Sequence, residues 1–461
     1  MKFNIITIGI TAALSVSLLG SCGIYKKFEM PQESALAVDY TKATAMEQDS
    51  TTFGNLKWQD VFTDPMLVDL INQALENNTN LRNAQLNVSM AQAQLKGARL
   101  SYFPSVALAP NGAGASYAGN SFNWSYQIPL SVSWEVDIFG KLLNSKRSAQ
   151  AALYQSEAYA QAVRSGIISG VAQCYYAISS IESQLSLSRA TAENWRKSVD
   201  VMKDLKLAGR VNESAVVQSR AQYYSILASI TDLEVSLEKA NNTMSLLMNV
   251  MPQRWAIEGG KTLEAPEILR NSIPMCELAA RPDVRAAEWA LAQAYYTTTS
   301  ARAAFYPSLN ITANGGFTNL LGSMISNPGD WFVQLAGSLT APLFSRGANI
   351  ARLEAAKAAQ EASLNTFEYT LMNAAAEISD AMTIYEKSVE KAELLGRQIE
   401  NLEKSVEYTQ ELLSLGTTST TYLEVLTAQQ GLLGAQMSSL ANELTGTQAV
   451  INLYQSLGGG R

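Results

Sequence analysis

The sequence predicts a mainly helical protein with a small membrane β-sheet, built as a tandem duplication. Three observations predict this architecture. Residues 121–137 alternate between apolar side chains at even positions and polar or small ones at odd positions. Residues 141–207 contain no proline and carry apolar residues at heptad spacing. A pattern of helix and exit turn then recurs 203 residues downstream. Together these features indicate long helices joined to short membrane-facing hairpins.

The N-terminus is similar to a bacterial lipoprotein signal. Lys2 precedes an apolar run, and Leu19-Gly20-Ser21 leads directly to Cys22. In such signals the cysteine is acylated and becomes the mature N-terminus, so we expect a signal peptide at residues 1–21 and a palmitate-bearing Cys22. In enteric lipoproteins an aspartate directly after the cysteine favours retention in the inner membrane. This chain has Gly23 at that position, which favours sorting to the outer membrane. An ordinary secretory signal with an incidental cysteine is the alternative.

The anchored segment leads into two short helices. Residues 22–57 are polar, have no apolar period and are expected to form an extended, lipid-anchored segment. Asp64 and Pro65 then have the character of a helix cap and a first helical residue. A second helix is expected from about Asn80 to Ser101, ending before Pro104.

Two hairpins supply the predicted membrane strands, at about 104–137 and about 307–344. Trp124 and Trp134 share the apolar face of the alternating segment, about 26 Å apart along the membrane normal for a strand tilted by about 40°. Trp331 lies on the apolar face of the second hairpin. These three tryptophans are expected to form aromatic rims. A long edge strand in a soluble sandwich is the alternative for the alternating segment taken alone.

Four strands do not close a membrane barrel. Small membrane barrels need about eight strands, and an unclosed sheet in lipid leaves backbone groups unpaired at a cost of several kcal/mol each. The sequence therefore predicts that other chains complete the sheet.

The duplication divides the mature chain. Phe103-Pro104-Ser105 matches Tyr306-Pro307-Ser308, and several alanines and one arginine of the preceding helix match at the same offset. Within each copy the hairpin is followed by long paired helices, and the 141–207 helix alone is about 100 Å long. The expected divisions are a first repeat at 58–255 with helices at about 141–250, a linker at 256–280, a second repeat at 281–457 with helices at about 346–457, and a tail at 458–461.

Composition excludes several classes of function. The chain has no histidine, which removes the commonest general base and metal ligand. The pI near 5.0 and the lack of a basic cluster argue against nucleic-acid binding. We find no catalytic, cofactor-binding or metal-binding constellation. Cys174 and Cys276 are compatible with a disulfide in an oxidising compartment or with two separate buried thiols.

The chain resembles the outer membrane efflux protein family, the TolC-like exit ducts, and its lipoprotein branch. The resemblance covers nearly the whole mature chain. It rests on the repeated exit motifs, on the order of helices and hairpins, and on two stretches: Trp58, Phe62, Asp64-Pro65, Leu67, Leu70-Ile71, Ala74-Leu75, Asn77 and Leu81; and Gly416 with Tyr422-Leu423-Glu424-Val425-Leu426-Thr427-Ala428-Gln429.

The resemblance implies a homotrimer. Three protomers with four strands each would form one twelve-stranded β-barrel in the outer membrane, continued by a trimeric barrel of long helical hairpins in the periplasm of a Gram-negative bacterium. It also implies two partners, a periplasmic adaptor (membrane fusion protein) and an inner-membrane pump of the RND type.

Site residues follow from the same resemblance. Leu423 is implied to narrow the pore, and its alternative role is ordinary helix packing. The family often has an aspartate where this chain has Thr427, and Glu424 is a possible acidic substitute. The two helical breaks are implied to be adaptor-docking tips or plain interhelical turns: Leu207, Gly209 and Arg210 in the first repeat, and Leu415, Gly416 and Thr417 in the second.

The predicted function is a passive exit duct and not an enzyme. No nucleotide-binding loop or inner-membrane span is found in the sequence, so energy must come from a partner pump. The alternatives are the outer-membrane component of a type I protein secretion system and a structural coiled-coil lipoprotein. A barrel enzyme is a further rival, but no catalytic constellation supports it. The sequence does not identify the exported cargo.

Overall fold

The structure is a computed structural model that describes residues 24–32, 34–44, 56–116, 123–263, 275–318, 330–342, 344, 346–414 and 422–460. Cys22 and the whole of the second predicted turn, with Leu415, Gly416 and Thr417, lie outside the described residues. The chain divides into two compact units. The first contains residues 1–39, 85–158 and 285–370, and the second contains residues 40–84, 159–284 and 371–461.

Helices account for most of the described chain. Ten helices are numbered in chain order: α1 Ala35–Thr44, α2 Trp58–Val61, α3 Pro65–Asn77, α4 Thr79–Leu100, α5 Lys141–Leu207, α6 Glu213–Leu247, α7 Met275–Ala280, α8 Pro282–Ala303, α9 Ala348–Ser414 and α10 Tyr422–Ser456. The long helix predicted at residues 141–207 has these same bounds, because no proline or capping sequence interrupts it. No described helix holds a stretch both apolar and long enough to cross a lipid bilayer.

The start of α3 follows the predicted capping chemistry. Asp64 is the N-cap and its carboxylate accepts a hydrogen bond of 2.9 Å from the backbone N–H of Met66. Pro65 occupies the first helical position, where its missing N–H costs nothing. The buried face of the helix is Leu67, Leu70, Ile71 and Ala74.

The N-terminal segment differs from its expected extended form. Residues 35–44 form helix α1, and Ala37 and Tyr40 are buried. The hydroxyl of Ser34 accepts a hydrogen bond of 3.2 Å from the N–H of Ala37, as a helix cap does. Only one turn of apolar residues faces inward, so a search for sustained helical periodicity does not find this helix.

One antiparallel sheet lies in the first unit. Its segments are β1 Ser105–Leu108, β2 Asn111–Ala115, β3 Asn123–Val136, β4 Ser308–Thr318 and β5 Asp330–Thr340, in the order β1-β3-β4-β5 with β2 also paired to β3. The four expected strands are therefore present, with the first divided into β1 and β2. Pro110 lies at this division and has no N–H to donate to the ladder, while the N–H of Ala109 donates to the carbonyl of Pro129 at 3.1 Å.

The register of the sheet places apolar residues on one face. Trp134 lies opposite Ile311, Leu130 lies opposite both Leu108 and Gly315, and Phe317 lies opposite Trp331. Polar residues occupy the other face. Many of the apolar side chains are exposed: Val106, Leu108, Trp124, Ile128, Leu130, Trp134, Phe317, Trp331, Val333, Leu335 and Leu339. A sheet in water does not leave such a face uncovered.

The second unit has a well-packed helical core. Its largest fully buried side chains include Phe62, Leu67, Ile168, Tyr175, Ile178, Leu185, Trp195, Met202 and Tyr454. A satellite cluster of Ala192, Trp195, Ile226 and Leu426 joins α5, α6 and α10. The buried positions on α5 recur at spacings of three and four, which is the predicted heptad seam.

The duplication is also visible in a pair of equivalent hydrogen bonds. The amide Nδ2 of Asn78, which precedes α4, donates to the carbonyl of Leu247 at 2.9 Å. Arg281, 203 residues later and just before α8, donates from Nη1 to the carbonyl of Ser456 at 2.9 Å. Leu247 and Ser456 are the last residues of α6 and α10. In each repeat, therefore, the residue just before a shorter helix donates a hydrogen bond to the last carbonyl of the long return helix. This satisfies one of the terminal carbonyls of the return helix.

Candidate channel wall, helix turns and pore constriction

The three predicted rim tryptophans all lie on the exposed apolar face of the sheet. Trp124 is 66%, Trp134 39% and Trp331 75% exposed. Trp134 lies near the helix end of β3, and its indole N–H donates to the carbonyl of Tyr102 at 2.9 Å. Trp124 and Trp331 lie toward the opposite end of their strands. Tryptophans at both ends of an exposed apolar face are typical of a membrane-interface belt, and their role as aromatic rims stays a prediction.

The opposite face of the sheet is polar and weakly charged. It carries serine, threonine, asparagine and glutamine, including Ser131, Asn314 and Gln334. Several hydroxyls donate to carbonyls of the neighbouring strand, as Ser125 does to Ala113 at 3.2 Å and Thr318 to Tyr126 at 3.2 Å. Such a face suits water and varied solutes.

An ion pair marks the helix end of this polar face. The ammonium of Lys141 lies 2.8 Å from the carboxylate of Glu135. Both carboxylate oxygens of Asp137 are occupied by backbone N–H groups at the start of α5, from Leu142 at 3.1 Å and Leu143 at 2.7 Å. The strand-to-helix transition is therefore fixed by side chains that the sequence places within seven residues.

The turn that joins α5 to α6 has the geometry of a helix C-cap followed by an N-cap. Gly209 has φ of +70°, and its N–H donates to the carbonyl of Lys206 at 2.9 Å, while the N–H of Arg210 donates to Leu205 at 2.9 Å. Asn212 then caps α6 by accepting from the N–H of Ala215 at 3.1 Å. Leu207 is 86% exposed, and a Cβ on Gly209 would touch nothing within 4 Å. A strongly exposed leucine therefore lies at the end of α5, next to a hydrogen-bonded turn.

The candidate constriction residues lie together at the start of α10. Leu423, Glu424 and Thr427 are all exposed, whereas Val425, Leu426 and Ala428 between and beside them are buried. The hydroxyl of Thr427 donates to the carbonyl of Leu423 at 2.9 Å. The three side chains therefore share the face of α10 that its own protomer leaves open. Their role at a constriction stays a prediction.

A polar cluster around the half-buried Asp64 in the second unit was not predicted from the sequence. Asp64 accepts from the hydroxyl of Tyr175 at 3.0 Å and from the ammonium of Lys261 at 3.0 Å. Burial alone would raise the pKa of Asp64, but hydrogen bonds from Lys261 and Tyr175 outweigh it and lower that pKa. The same burial, with the carboxylate beside it, raises the pKa of Tyr175. Asp64 was recognised only as a cap, because its partners are distant in sequence.

Arg281 forms a second cluster that sequence reasoning missed. Its guanidinium is almost fully buried and pairs with Asp283 at 2.7 Å and Glu377 at 2.7 Å, besides the carbonyl of Ser456. Burial opposes its charge, yet the hydrogen bonds that it donates to Asp283 and Glu377 raise its pKa overall. Burial would also raise the pKa of Asp283, but the contact with Arg281 outweighs it and lowers that pKa. The arginine therefore stays charged and joins α7 and α8 to α9 and α10.

Of the two states considered for Cys174, a disulfide or an unpaired thiol, the structure has the unpaired thiol. It is a free, buried thiol whose sulfur lies 3.2 Å from the carbonyl of Ala240. Burial raises its pKa to about 11, so it is an unreactive structural thiol.

Comparison with known proteins decides the family. The sequence model described as "Outer membrane efflux protein" matches residues 70–250 and 275–459, the greater part of both repeats. The chain belongs to the outer membrane efflux protein family. It is 30% identical over 415 residues to the "Probable outer membrane lipoprotein SilC" of Salmonella typhimurium, covering 87% of this chain and 88% of that protein. It is 28% identical over 419 residues to the "Cation efflux system protein CusC" of Escherichia coli K12, covering 88% and 90%.

Solved structures agree with this family in fold. The open state of the Neisseria gonorrhoeae MtrE outer membrane channel superposes with a TM-score of 0.77 at 28% identity, covering 90% of this chain and 94% of that one. A CusC crystal structure superposes with a TM-score of 0.81 at 25% identity, covering 94% and 98%. These channels have the helical barrel and β-barrel that the sequence resemblance implied.

The family settles the general function. The chain is a passive outer-membrane efflux channel of a tripartite pump, and it is not an enzyme. The secretion and coiled-coil alternatives are not favoured. Members of the family are trimeric outer membrane channels that work with an adaptor and an inner-membrane pump, and the homologues are outer membrane lipoproteins of Gram-negative bacteria.

Proposed function

We propose that three copies of this chain form one exit duct, with twelve strands closing a single barrel. The observation that supports this is the sheet. In the described part of the chain, β1 with β2 forms one edge and β5 the other, and neither edge has a further strand beside it. The exposed apolar face requires lipid, and in lipid an open edge is too costly to persist. Neighbouring copies supply the missing hydrogen bonds.

Native mass spectrometry of the detergent-extracted lipoprotein tests the assembly, and conductance in planar bilayers tests the channel. We expect a trimer that conducts ions. A monomer without conductance, with both tryptophan-bearing hairpins open to protease, would overturn the proposal.

The duct works with a periplasmic adaptor and an inner-membrane pump of the RND class. The exposed Leu207 beside the turn at Gly209 and Arg210 supports adaptor docking, and the predicted turn at Leu415, Gly416 and Thr417 is its expected counterpart in the second repeat. Leu207→Asp is expected to abolish adaptor capture. Met251→Asp, which changes a residue of similar exposure outside the turn, is the control and retains capture.

The constriction is formed by Leu423, with Glu424 and Thr427 beside it. Their shared exposure on one face of α10 supports this assignment. We expect Leu423→Ala to raise single-channel conductance and Leu394→Ala, another exposed leucine, to leave it unchanged. Cross-linking the two turns through introduced cysteines should block efflux if opening moves the paired helices apart, and undiminished efflux would contradict that movement.

The chain is anchored in the outer membrane through acylated Cys22, with the helices in the periplasm. The nearby residues that the structure describes support this, because the amide of Asn144 donates to the carbonyl of Ile24 at 2.9 Å and the hydroxyl of Tyr25 to that of Ile138 at 2.5 Å. The segment that follows Cys22 is thus held where β3 ends and α5 begins. Palmitate labelling that persists in Cys22→Ser would contradict the anchor.

The cargo is a small molecule that the pump delivers. Relatives at 24–28% identity are named for cation, antibiotic, toluene and solvent efflux, so identity does not single out one cargo. The cargo is identified by the susceptibility of a deletion strain to metal ions, antibiotics and solvents, with complementation by this chain.

We assign the two repeats to residues 58–255 and 281–457, with the linker between them and the tail after them. The two segments that match the family support these boundaries.

A further inference from the structure

Three lysines lie beside exposed apolar side chains at the helix end of the sheet. We call Lys26, Lys27 and Lys146 the basic collar. Its apolar neighbours are exposed and belong to the same unit: Tyr25, Phe103, Trp134 and Ile138. Nothing in the channel function described above uses these lysines.

Contacts place Lys146 next to the aromatic rim. The ammonium of Lys146 lies over the ring of Tyr102, 5.9 Å from its centroid. The carbonyl of the same Tyr102 accepts the indole N–H of Trp134 at 2.9 Å. A cation and an interfacial tryptophan therefore share one tyrosine, as polar and apolar parts of a lipid-facing surface do.

Contacts of Arg147 hold the backbone that carries Lys26 beside the start of α5. Its Nη1 donates to the carbonyl of Tyr25 at 3.1 Å and to that of Lys26 at 3.0 Å. This fixes the N-terminal backbone on the helix one residue after Lys146, while the side chains of Lys26 and Lys27 stay exposed. The N-terminal backbone is therefore held beside α5 by specific contacts, and it carries Lys26 and Lys27 to the same end of the sheet as Lys146.

No ion pair within the described part of the chain engages the lysines of the collar. Among the described residues, none of the three lysines forms an ion pair. The nearest acidic residues in sequence on β3 and its exit are already engaged, Glu135 by Lys141 and Asp137 by two backbone N–H groups. Three cations without an ion-pair partner beside an apolar rim attract a ligand that carries both an anion and hydrocarbon chains.

We propose that the basic collar binds the phosphodiester head group of an anionic phospholipid, of the phosphatidylglycerol type, in the membrane leaflet at the helix end of the sheet. The phosphate lies among Lys26, Lys27 and Lys146, and the acyl chains lie against Trp134, Phe103 and Ile138. This inference rests on the sheet lying in the outer membrane as a channel. It adds a specific lipid partner that the channel function does not require.

The test titrates phosphatidylglycerol and phosphatidylcholine against the delipidated full-length assembly and measures bound lipid by native mass spectrometry. The triple variant Lys26→Gln, Lys27→Gln, Lys146→Gln removes the collar. The control Lys197→Gln, Lys239→Gln, Lys391→Gln removes three exposed lysines from the second unit, so both variants lose the same net charge. Lys146→Gln alone is included because it lies far from the lipoprotein signal and leaves export untouched.

We expect the protein without substitutions to bind phosphatidylglycerol more tightly than phosphatidylcholine. Each collar lysine should contribute about fivefold to the affinity for phosphatidylglycerol, or on the order of 100-fold for all three. The control variant should bind like the unmodified protein. Equal binding of the two lipids, or equal losses in the collar and control variants, would overturn the proposal. So would full competition by soluble glycerol phosphate, which would mean an anion site without lipid specificity. Conductance measured on the same samples separates these outcomes from failure of the channel itself.

Discussion

Gly316 of β4 lies opposite Pro129 of β3, and a Cβ at position 316 would overlap the backbone carbonyl of Ile128. Pro129 has no N–H to donate, although β3 is paired on both sides. Proline is rare in such a position, and glycine allows the neighbouring backbone the close approach that it imposes. The pair therefore fixes the register that aligns the apolar face of the sheet.

Gly316→Ala should prevent correct pairing of β3 with β4. The added methyl group meets backbone that has no alternative rotamer, so we expect a loss of at least about 1–3 kcal/mol and a strong fall in the yield of assembled channel. Gly337→Ala, at a strand position where a Cβ meets nothing within 4 Å, is the control. Trimer recovery from membranes and heat-resistant migration on gels measure the effect. Equal recovery of the two variants would show that Gly316 does not fix the register of β3 and β4.

The parts of the fold with a long period were predictable from the sequence. The α5 helix and the apolar face of β3 each rest on a pattern repeated over many residues, so single exceptions such as Pro129 do not obscure them. The first strand was predicted without its interruption at Pro110. A proline on an edge strand changes hydrogen bonding locally and leaves the alternation of side chains intact.

The candidate site was only partly predictable, because its electrostatics depend on distant partners. Asp64 reads as a helix cap, and nothing local indicates that Lys261 will reach it. Arg281 reads as one arginine among many before a proline, although it is buried and joins four helices. Both clusters depend on tertiary contacts between segments far apart in the chain, which a single sequence does not reveal.

Asp64→Asn isolates the charge in the cluster with Tyr175 and Lys261, because asparagine still caps α3. The pKa of Asp64 is lowered in the folded state, so its stabilising effect is present above its ordinary value of 3.8 and is lost as the pH falls through the lower folded value. We expect the variant to be less stable by about 1 kcal/mol at neutral pH. The difference should shrink as the pH falls below 3.8 and disappear below the lowered folded pKa.

Thermal unfolding followed by tryptophan fluorescence from pH 7 to pH 3 measures this difference. Asp69→Asn, an exposed carboxylate of the same helix whose Oδ2 accepts from Gln73, is the control. A stability difference that stayed constant across the whole pH range would show that the ionised form of Asp64 is not what stabilises the fold.

Arg281→Ala removes the buried cation between Asp283, Glu377 and the last carbonyl of α10. Both carboxylates are half-exposed and can be hydrated once the guanidinium is gone. We therefore expect the free energy of unfolding to fall by about 1–3 kcal/mol, less than when a fully buried ion pair is broken. The end of α10 should become sensitive to protease. Arg285→Ala, on the exposed side of the same region, should have little effect, and equal effects would mean that helix propensity explains both.

The glycine-rich C-terminal tail is buried, although its sequence suggests a flexible end. Residues Gly458 to Gly460 are buried, and a Cβ at Gly459 would overlap the ring of Tyr454. The hydroxyl of Tyr454 donates to the carbonyl of Leu56 at 2.8 Å and accepts from the N–H of Gly460 at 2.9 Å. Ser165 donates to the carbonyl of Gly459 at 2.6 Å. The tail thus fits a slot that only glycine can enter, and its departure would leave several buried polar groups without partners.

Gly459→Ala is therefore expected to expel the tail, lower the unfolding temperature and let carboxypeptidase remove C-terminal residues that are protected in the unmodified protein. Gly434→Ala in α10 is the matched control, since a Cβ there meets nothing within 4 Å, and it should be neutral or stabilising by up to about 1 kcal/mol. Protection that persists in Gly459→Ala would mean that the Tyr454 ring moves aside. In that case Tyr454→Phe, which keeps the ring and removes only the hydroxyl bonds to Leu56 and Gly460, should release the tail instead.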